Sequence, residues 1–186
     1  MPLVAWLTWL GETPWSIALH ESQYAWPFTE SLHVLTLTVF AGTAAVLDLR
    51  LLGLALTAVP VTALTARLLP WTRFGFFIMV VTGVMLFYAT PLTYYYSIFF
   101  RIKLILLGLA GVNVFVFHSR THRTAAQWDA IPRLPRAARV AAAVSLMAWA
   151  GVIVSGRLIA YNWFECDLQP QPAFVNWAAG CPATPP

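Results

Sequence analysis

The sequence predicts an all-α protein: an integral membrane four-helix bundle with an N-terminal interfacial amphipathic helix and a short periplasmic C-terminal tail. Composition predicts the class. Of 186 residues, 60% are hydrophobic and only 10% are charged, where a soluble domain carries about 25% charge; the mean hydropathy is +0.71. So little charge cannot cover a water-facing surface, and lipid has to cover it instead. Four apolar runs, each close to the about 20 residues that a helical crossing needs, predict the helix count. The basic residues sit at the ends of these runs and form no aromatic-interleaved basic face, so nucleic acid is not an expected partner. The bilayer is, together with other membrane subunits or a second copy of the chain.

Residues 1–29 read as an interfacial segment, 30–162 as the transmembrane domain and 163–186 as a periplasmic tail. Met1 to Leu10 is apolar but too short to span, and it lacks the basic start and the cleavage site of a signal peptide. Residues 11–29 (GETPWSIALHESQYAWPFT) fit a short amphipathic helix. Thr13 then Pro14 suit an N-cap and a first helical position. Trp15, Tyr24 and Trp26 suit the headgroup level, and Pro27 ends the segment. The first span is expected over about 30–54 and closes with Asp48 and Arg50. A surface helix over 58–70 ends at Pro70, and the second span covers about 71–88. TPLTYYYSIFF is the turn into a third span over about 98–117. His118 to Arg136 is a polar loop broken by Pro132 and Pro135, and the fourth span covers about 137–161.

Charge sets the expected orientation. With four spans the two ends share a side. One side then collects Arg50, Arg67, Arg73, Arg120, Arg123, Arg133, Arg136 and Arg139. The other holds Arg101, Lys103 and Arg157 beside Glu12, Glu21, Glu30, Glu165 and Asp167. The positive-inside rule makes the first side cytoplasmic. The expected location is a bacterial inner membrane, crossed several times, with both termini periplasmic. Cys166 and Cys181 then lie where oxidation is permitted. A disulfide between them would staple the tail over the bundle; two free thiols are the alternative.

Ionisable residues within a span are costly and tend to be paired or functional. His33 lies about three residues into the first span, Lys103 about five into the third and Arg157 about four before the end of the fourth, so all three sit roughly 5–10 Å below the outer surface. Snorkelling to the headgroups would explain the two cations as structure. The sharper reading is a site for an anionic ligand, with His33 as metal ligand or proton-transfer group. Haem b fits, because neutral imidazole binds iron and two propionates want cations. A quinone headgroup fits as well, with the imidazole donating to its carbonyl.

His118 lies roughly 22 Å deeper and cannot share an iron with His33. It is a candidate for a second site on the inner side, with His122. His20 is the candidate partner of His33 if the N-terminal helix folds over the outer mouth. Asp48 and Arg50 point to different helix faces and are expected to lock the inner helix ends, Asp48 against a base such as Arg73 or Arg120. Asn113 is expected to make an interhelical hydrogen bond, and Gly42, Gly83, Gly108, Gly111 and Gly151 to let helices approach closely. Other chemistries lack their residues. There is no Cys-x-x-Cys-His motif for covalent haem, the four Met form no cluster for copper, and no Gly-rich phosphate loop or Ser/His/Asp set is present. Whether the chain is an enzyme stays open.

The stretches ESLHVLTLTVFAG, LDLRLLGLAL, FRIKLILLGLAGVNVFVFH and VIVSGRLIAY resemble an uncharacterised family of bacterial four-helix inner-membrane proteins over most of residues 15–162. His33 to Gly42 is also distantly similar to a helix start in the membrane domain of copper resistance protein D and in HemJ-type protoporphyrinogen oxidase, and Lys103 to a lysine in a later helix of the latter. That resemblance implies His33 as a haem b ligand and Lys103 as its functional partner.

Two functions are therefore expected. One is a haem b-binding protein passing electrons between a periplasmic partner and the quinone pool. The other is a cofactor-free accessory subunit of a larger respiratory or photosynthetic complex, motivated by 15% aromatic residues with nine Trp. A solute transporter lacks support, since the chain shows no inverted repeat.

Overall fold

The computed structural model describes residues 2–120 (118–120 as backbone), 128–129, 134–161, 164, 166 and 170–181. Among these the regular structure is entirely helical: α1 Pro2–Gly11, α2 Pro14–His20, α3 Ala25–Leu52, α4 Val61–Ala89, α5 Pro91–Tyr96, α6 Ile98–Arg120, α7 Arg136–Ile159 and α8 Ala173–Ala179. Four of them, α3, α4, α6 (over Ile98–Phe117) and α7, are long and apolar enough to cross a membrane. The fold is an all-α four-helix membrane bundle. His122, Arg123, Pro132, Arg133, Glu165 and Asp167, and the side chains of His118 and Arg120, lie outside the described residues.

Two prolines behave differently from the sequence reading. Pro27 begins a helix and does not end one: it is the third residue of α3, where the first-turn amides have no acceptor within the helix and a missing N–H costs nothing. Ser22 supplies the cap, its Oγ accepting from the Ala25 amide at 2.9 Å. Pro70 stands inside α4, so the surface helix and the second span are one helix of 29 residues. The ring forfeits one backbone bond, yet it is exposed, facing away from the bundle. Two residues on, Thr72 donates to Thr43 of α3 at 2.8 Å and holds the chain after the proline against its neighbour. The expected turn at 90–97 contains the short helix α5, and the tail contains α8.

The link between α3 and α4, at the end of the bundle that the charge bias predicts to be inner, is built locally. Gly53 takes φ 79°, the left-handed conformation that glycine adopts without steric cost. The Leu54 amide then reaches the Leu49 carbonyl at 3.0 Å, closing a Schellman motif. Arg50 donates from Nε to the Val59 carbonyl at 2.7 Å and straps this link to α3.

Around the bundle the spans are ordered α4, α3, α7, α6. Small residues let α7 sit between its neighbours: Ala138, Ala142, Ala148 and Ser155 are buried. Asn113 of α6 donates to the Ala141 carbonyl at 2.9 Å, the interhelical bond expected of it. At Gly75 α3 and α4 come close, for a Cβ there would lie 3.1 Å from the Phe40 amide nitrogen. Gly151 is filled by Leu106, whereas Gly42, Gly108 and Gly111 face open space and serve no close approach.

The opposite end, predicted to be outer, carries a cap of short helices. Ser16 of α2 is fully buried and donates toward the Tyr88 and Ala89 carbonyls at 2.9 and 3.1 Å, satisfying acceptors that the end of α4 would leave orphaned. Thr13 precedes Pro14 as expected of an N-cap, but its hydroxyl meets the Leu10 carbonyl and the Tyr88 hydroxyl instead of capping α2. Cys166 and Cys181 are joined as a disulfide. The Gly180 cap of α8 lies over Arg101, whose guanidinium donates to the Ala178 and Ala179 carbonyls at 2.6 Å and to the Tyr95 carbonyl at 3.1 and 3.2 Å. One cation thus fastens the C-terminal ends of α5 and α8, where the helix dipole favours positive charge.

Candidate functional site along the bundle axis

The two end spans, α4 and α6, face each other without packing along their middle. Between them runs a cavity of about 2210 Å³, larger than the roughly 300–1,000 Å³ of an ordinary ligand pocket. Aromatic contacts close both ends. At the outer end Phe87 of α4 stacks on Phe100 of α6 at 5.6 Å, with Tyr94 of α5 against both. At the inner end Trp128, 3% exposed, is packed with Val61, Ala138, Leu51, Phe117 and Leu134. Midway, Phe40 meets Trp149 edge to face at 4.5 Å and Phe76 at 5.3 Å, forming an aromatic wall from three helices.

Polar groups line the cavity at two levels, Asp48 with Ser145 toward one end and His33 with Lys103 toward the other. His33 and Lys103 line it together, and Lys103 is the charged group that acts on the imidazole. The ammonium of Lys103 rests over Gly156, 3.5 Å from where a Cβ would stand. The register that pairs Phe40 with Trp149 and Lys103 with Gly156 sets His33, Lys103 and Arg157 at one level. Arg157 differs from Lys103 in direction. It is exposed, it lies over the Tyr161 ring at 5.2 Å, and it donates to the Tyr161 hydroxyl at 3.2 Å, so it edges the cavity as a cation held at the rim. Burial first, and Glu30 second, push the Tyr94 phenol above its ordinary value, keeping the hydroxyl that borders this mouth protonated.

The hydrogen bonds around His33 specify its tautomer. Thr82 donates its hydroxyl proton to the Ile78 carbonyl at 2.8 Å, with the Met79 carbonyl at 3.1 Å. Its oxygen is therefore an acceptor for His33 Nδ1, 3.0 Å away. With the proton on Nδ1, Nε2 carries a lone pair. Gly83 makes room for the ring: a Cβ there would lie 3.1 Å from His33 Cε1. Thr82 and Gly83 escaped notice in the sequence as a site, although a Thr-Gly pair in the middle of an apolar span is a readable signal.

His20 is not brought to this cavity. It is exposed, absent from the cavity wall, and its Nδ1 approaches the Ser16 carbonyl of its own helix at 3.3 Å. Among the described residues no cluster of three metal-binding side chains exists.

Asp48 and Arg50 also part from expectation. Arg50 locks the inner link, but Asp48 makes no ion pair among the described residues. The Ser145 hydroxyl of α7 is the group that acts on its carboxylate, and Oδ2 is enclosed without a hydrogen-bond partner among the described residues. Arg73, expected opposite it, is exposed. Facing the inner side, Asp129 accepts from the Thr62 hydroxyl and, at 3.3 Å, from the Thr62 amide at the start of α4. The Thr62 hydroxyl, more than any other group, holds its carboxyl below the ordinary value.

No curated protein and no solved structure matches this chain, and the expected likeness of His33 to Gly42 to other membrane families is not shown. A family of unknown function, DUF6644, matches over residues 7–162, and the chain belongs to that family.

Proposed function

We propose that this protein binds haem b within the membrane and passes electrons between a periplasmic partner and the quinone pool, and that His33 would hold the group through Nε2. The observation that carries the reading is the hydrogen bond from His33 Nδ1 to Thr82. A ligating histidine characteristically donates its other ring nitrogen to a fixed acceptor, which sets tautomer and orientation. The residues present fit the group. Gly83 leaves the ring unobstructed, the aromatic wall of Phe40, Phe76 and Trp149 suits a flat apolar face, and Lys103 and Arg157 offer two cations at the level of His33. When bound, haem supplies a one-electron carrier; the chain holds it, neutralises its carboxylates and keeps water from its face. A quinone headgroup is also served, in a changed sense: Nε2 accepts from a quinol hydroxyl, and Lys103 is the donor to a carbonyl. The charge bias of the inter-helix segments supports a bacterial inner membrane with both termini periplasmic.

A second reading draws on the open side of the bundle. The gap between α4 and α6, and exposed Phe77, Val84, Ile105 and Phe115, suit the helix of a partner in a larger complex, with no cofactor.

Absorption spectra of the purified protein, oxidised and reduced, separate the two. The haem reading expects a Soret band that His33→Ala abolishes and His118→Ala leaves in place. A wild-type protein without one, migrating only as part of a larger assembly in mild detergent, would favour the accessory subunit.

A further inference from the structure

Asp48 stands toward the inner end of the same cavity, about 22 Å along α3 from His33. It is 8% exposed. The neutral hydroxyl of Ser145 acts on its carboxyl; Oδ2 is enclosed and has no partner among the described residues. A buried acceptor left unpaired costs about 1–3 kcal/mol, more when charged, and an unpaired carboxylate in a low-dielectric interior costs several.

Among the described residues no neighbouring charge relieves that cost. On its own helix Arg50 is spent on the Val59 carbonyl. On α4, Arg67 and Arg73 are exposed, as are Arg136 and Arg139 on α7. On α6 the described cations, Arg101 and Lys103, lie at the outer level, and Asp129 is engaged by Thr62. A proton on Oδ2 would cancel the charge, the larger of the two penalties.

We propose that Asp48, positioned by Ser145, is a proton-binding site of the inner half of the cavity, taking up and releasing a proton reversibly between carboxylic acid and carboxylate. The proposal is independent of haem: it needs only the carboxyl, its one neutral donor and the cavity beside it. A proton held there is available to whatever hydrogen-bond acceptor the cavity binds.

The test uses the full-length protein in mild detergent and dicyclohexylcarbodiimide, an apolar reagent that adds a protonated carboxyl across its C=N bond. Digestion and mass spectrometry then locate the adduct. The expected result is labelling of Asp48 ahead of exposed Glu12, Glu21 and Glu30, falling at least tenfold from mildly acidic to alkaline buffer. Ser145→Ala should shift that pH profile, because the one hydrogen bond that favours the carboxylate is gone. Absence of an Asp48 adduct in folded protein, when the detergent-denatured chain is labelled there, would overturn the proposal. So would labelling indifferent to pH.

Discussion

The Thr82 hydroxyl lies 3.0 Å from His33 Nδ1 and spends its own proton on the Ile78 carbonyl, so α4 dictates which nitrogen the α3 imidazole leaves available. Thr82→Val keeps the shape of the side chain and removes the acceptor. Haem affinity should fall about 10–100-fold, the usual effect of losing such a supporting partner. Thr82→Ser should recover most of it. Haem titrations of the three proteins check this.

Two glycines of α4 should respond differently to the same methyl group. At Gly83 it would meet the His33 ring, a side chain that can swing; at Gly75 it would meet the backbone of Phe40 and Thr36, which cannot. Gly83→Ala should weaken ligand binding with little loss of stability. Gly75→Ala should destabilise the bundle by about 1–3 kcal/mol, as overpacking does. Thermal unfolding in detergent, compared with haem titration, distinguishes the two.

Arg101 joins the tail to the bundle through three carbonyls. Arg101→Ala leaves acceptors unpaired at about 1–3 kcal/mol for each buried one, and α8 should detach. Gly180→Ala should act similarly: the residue sits at φ 70°, costly by about 1–2 kcal/mol for other residues, and a Cβ would lie 2.9 Å from the guanidinium. Limited proteolysis of reduced protein should cut the tail faster in both variants, with the spans intact.

Acid should loosen the inner end through Asp129. Its carboxyl is held below the ordinary 3.8 in the folded chain. A lowered folded value means the contribution is complete above the unfolded value, about 4, and is lost as pH falls through the folded one. Asp129→Asn should remove this dependence. Acid-induced fluorescence change from Trp128, with the other tryptophans as shared background, should be smaller in the variant over that window.

Much of the architecture was legible because hydrocarbon imposes a simple demand: about 20 apolar residues per crossing, charge at the ends. The Cys166–Cys181 pair was legible for the same reason, since both cysteines fall on one side of the fourth span. Pro27 and Pro70 misled because a proline marks a break only where its amide is needed or its ring has nowhere to go. Neither holds in a first turn or on an exposed face backed by Thr72. Depth along a helix placed His33 and Lys103 at one level, but depth carries no azimuth. That is why Arg157, equal in depth, turns to Tyr161, and why Asp48 meets Ser145 and not an arginine. Which helices leave a gap, here α4 and α6, is set by small buried residues on α7 that no pattern in α4 or α6 announces.

A haemin titration of purified wild-type and His33→Ala protein tests most directly whether His33 Nε2 is the atom that binds iron. The expected result is a Soret band that saturates at one haem per wild-type chain and does not develop in the variant. Equal bands in both proteins, or none in either, would contradict it.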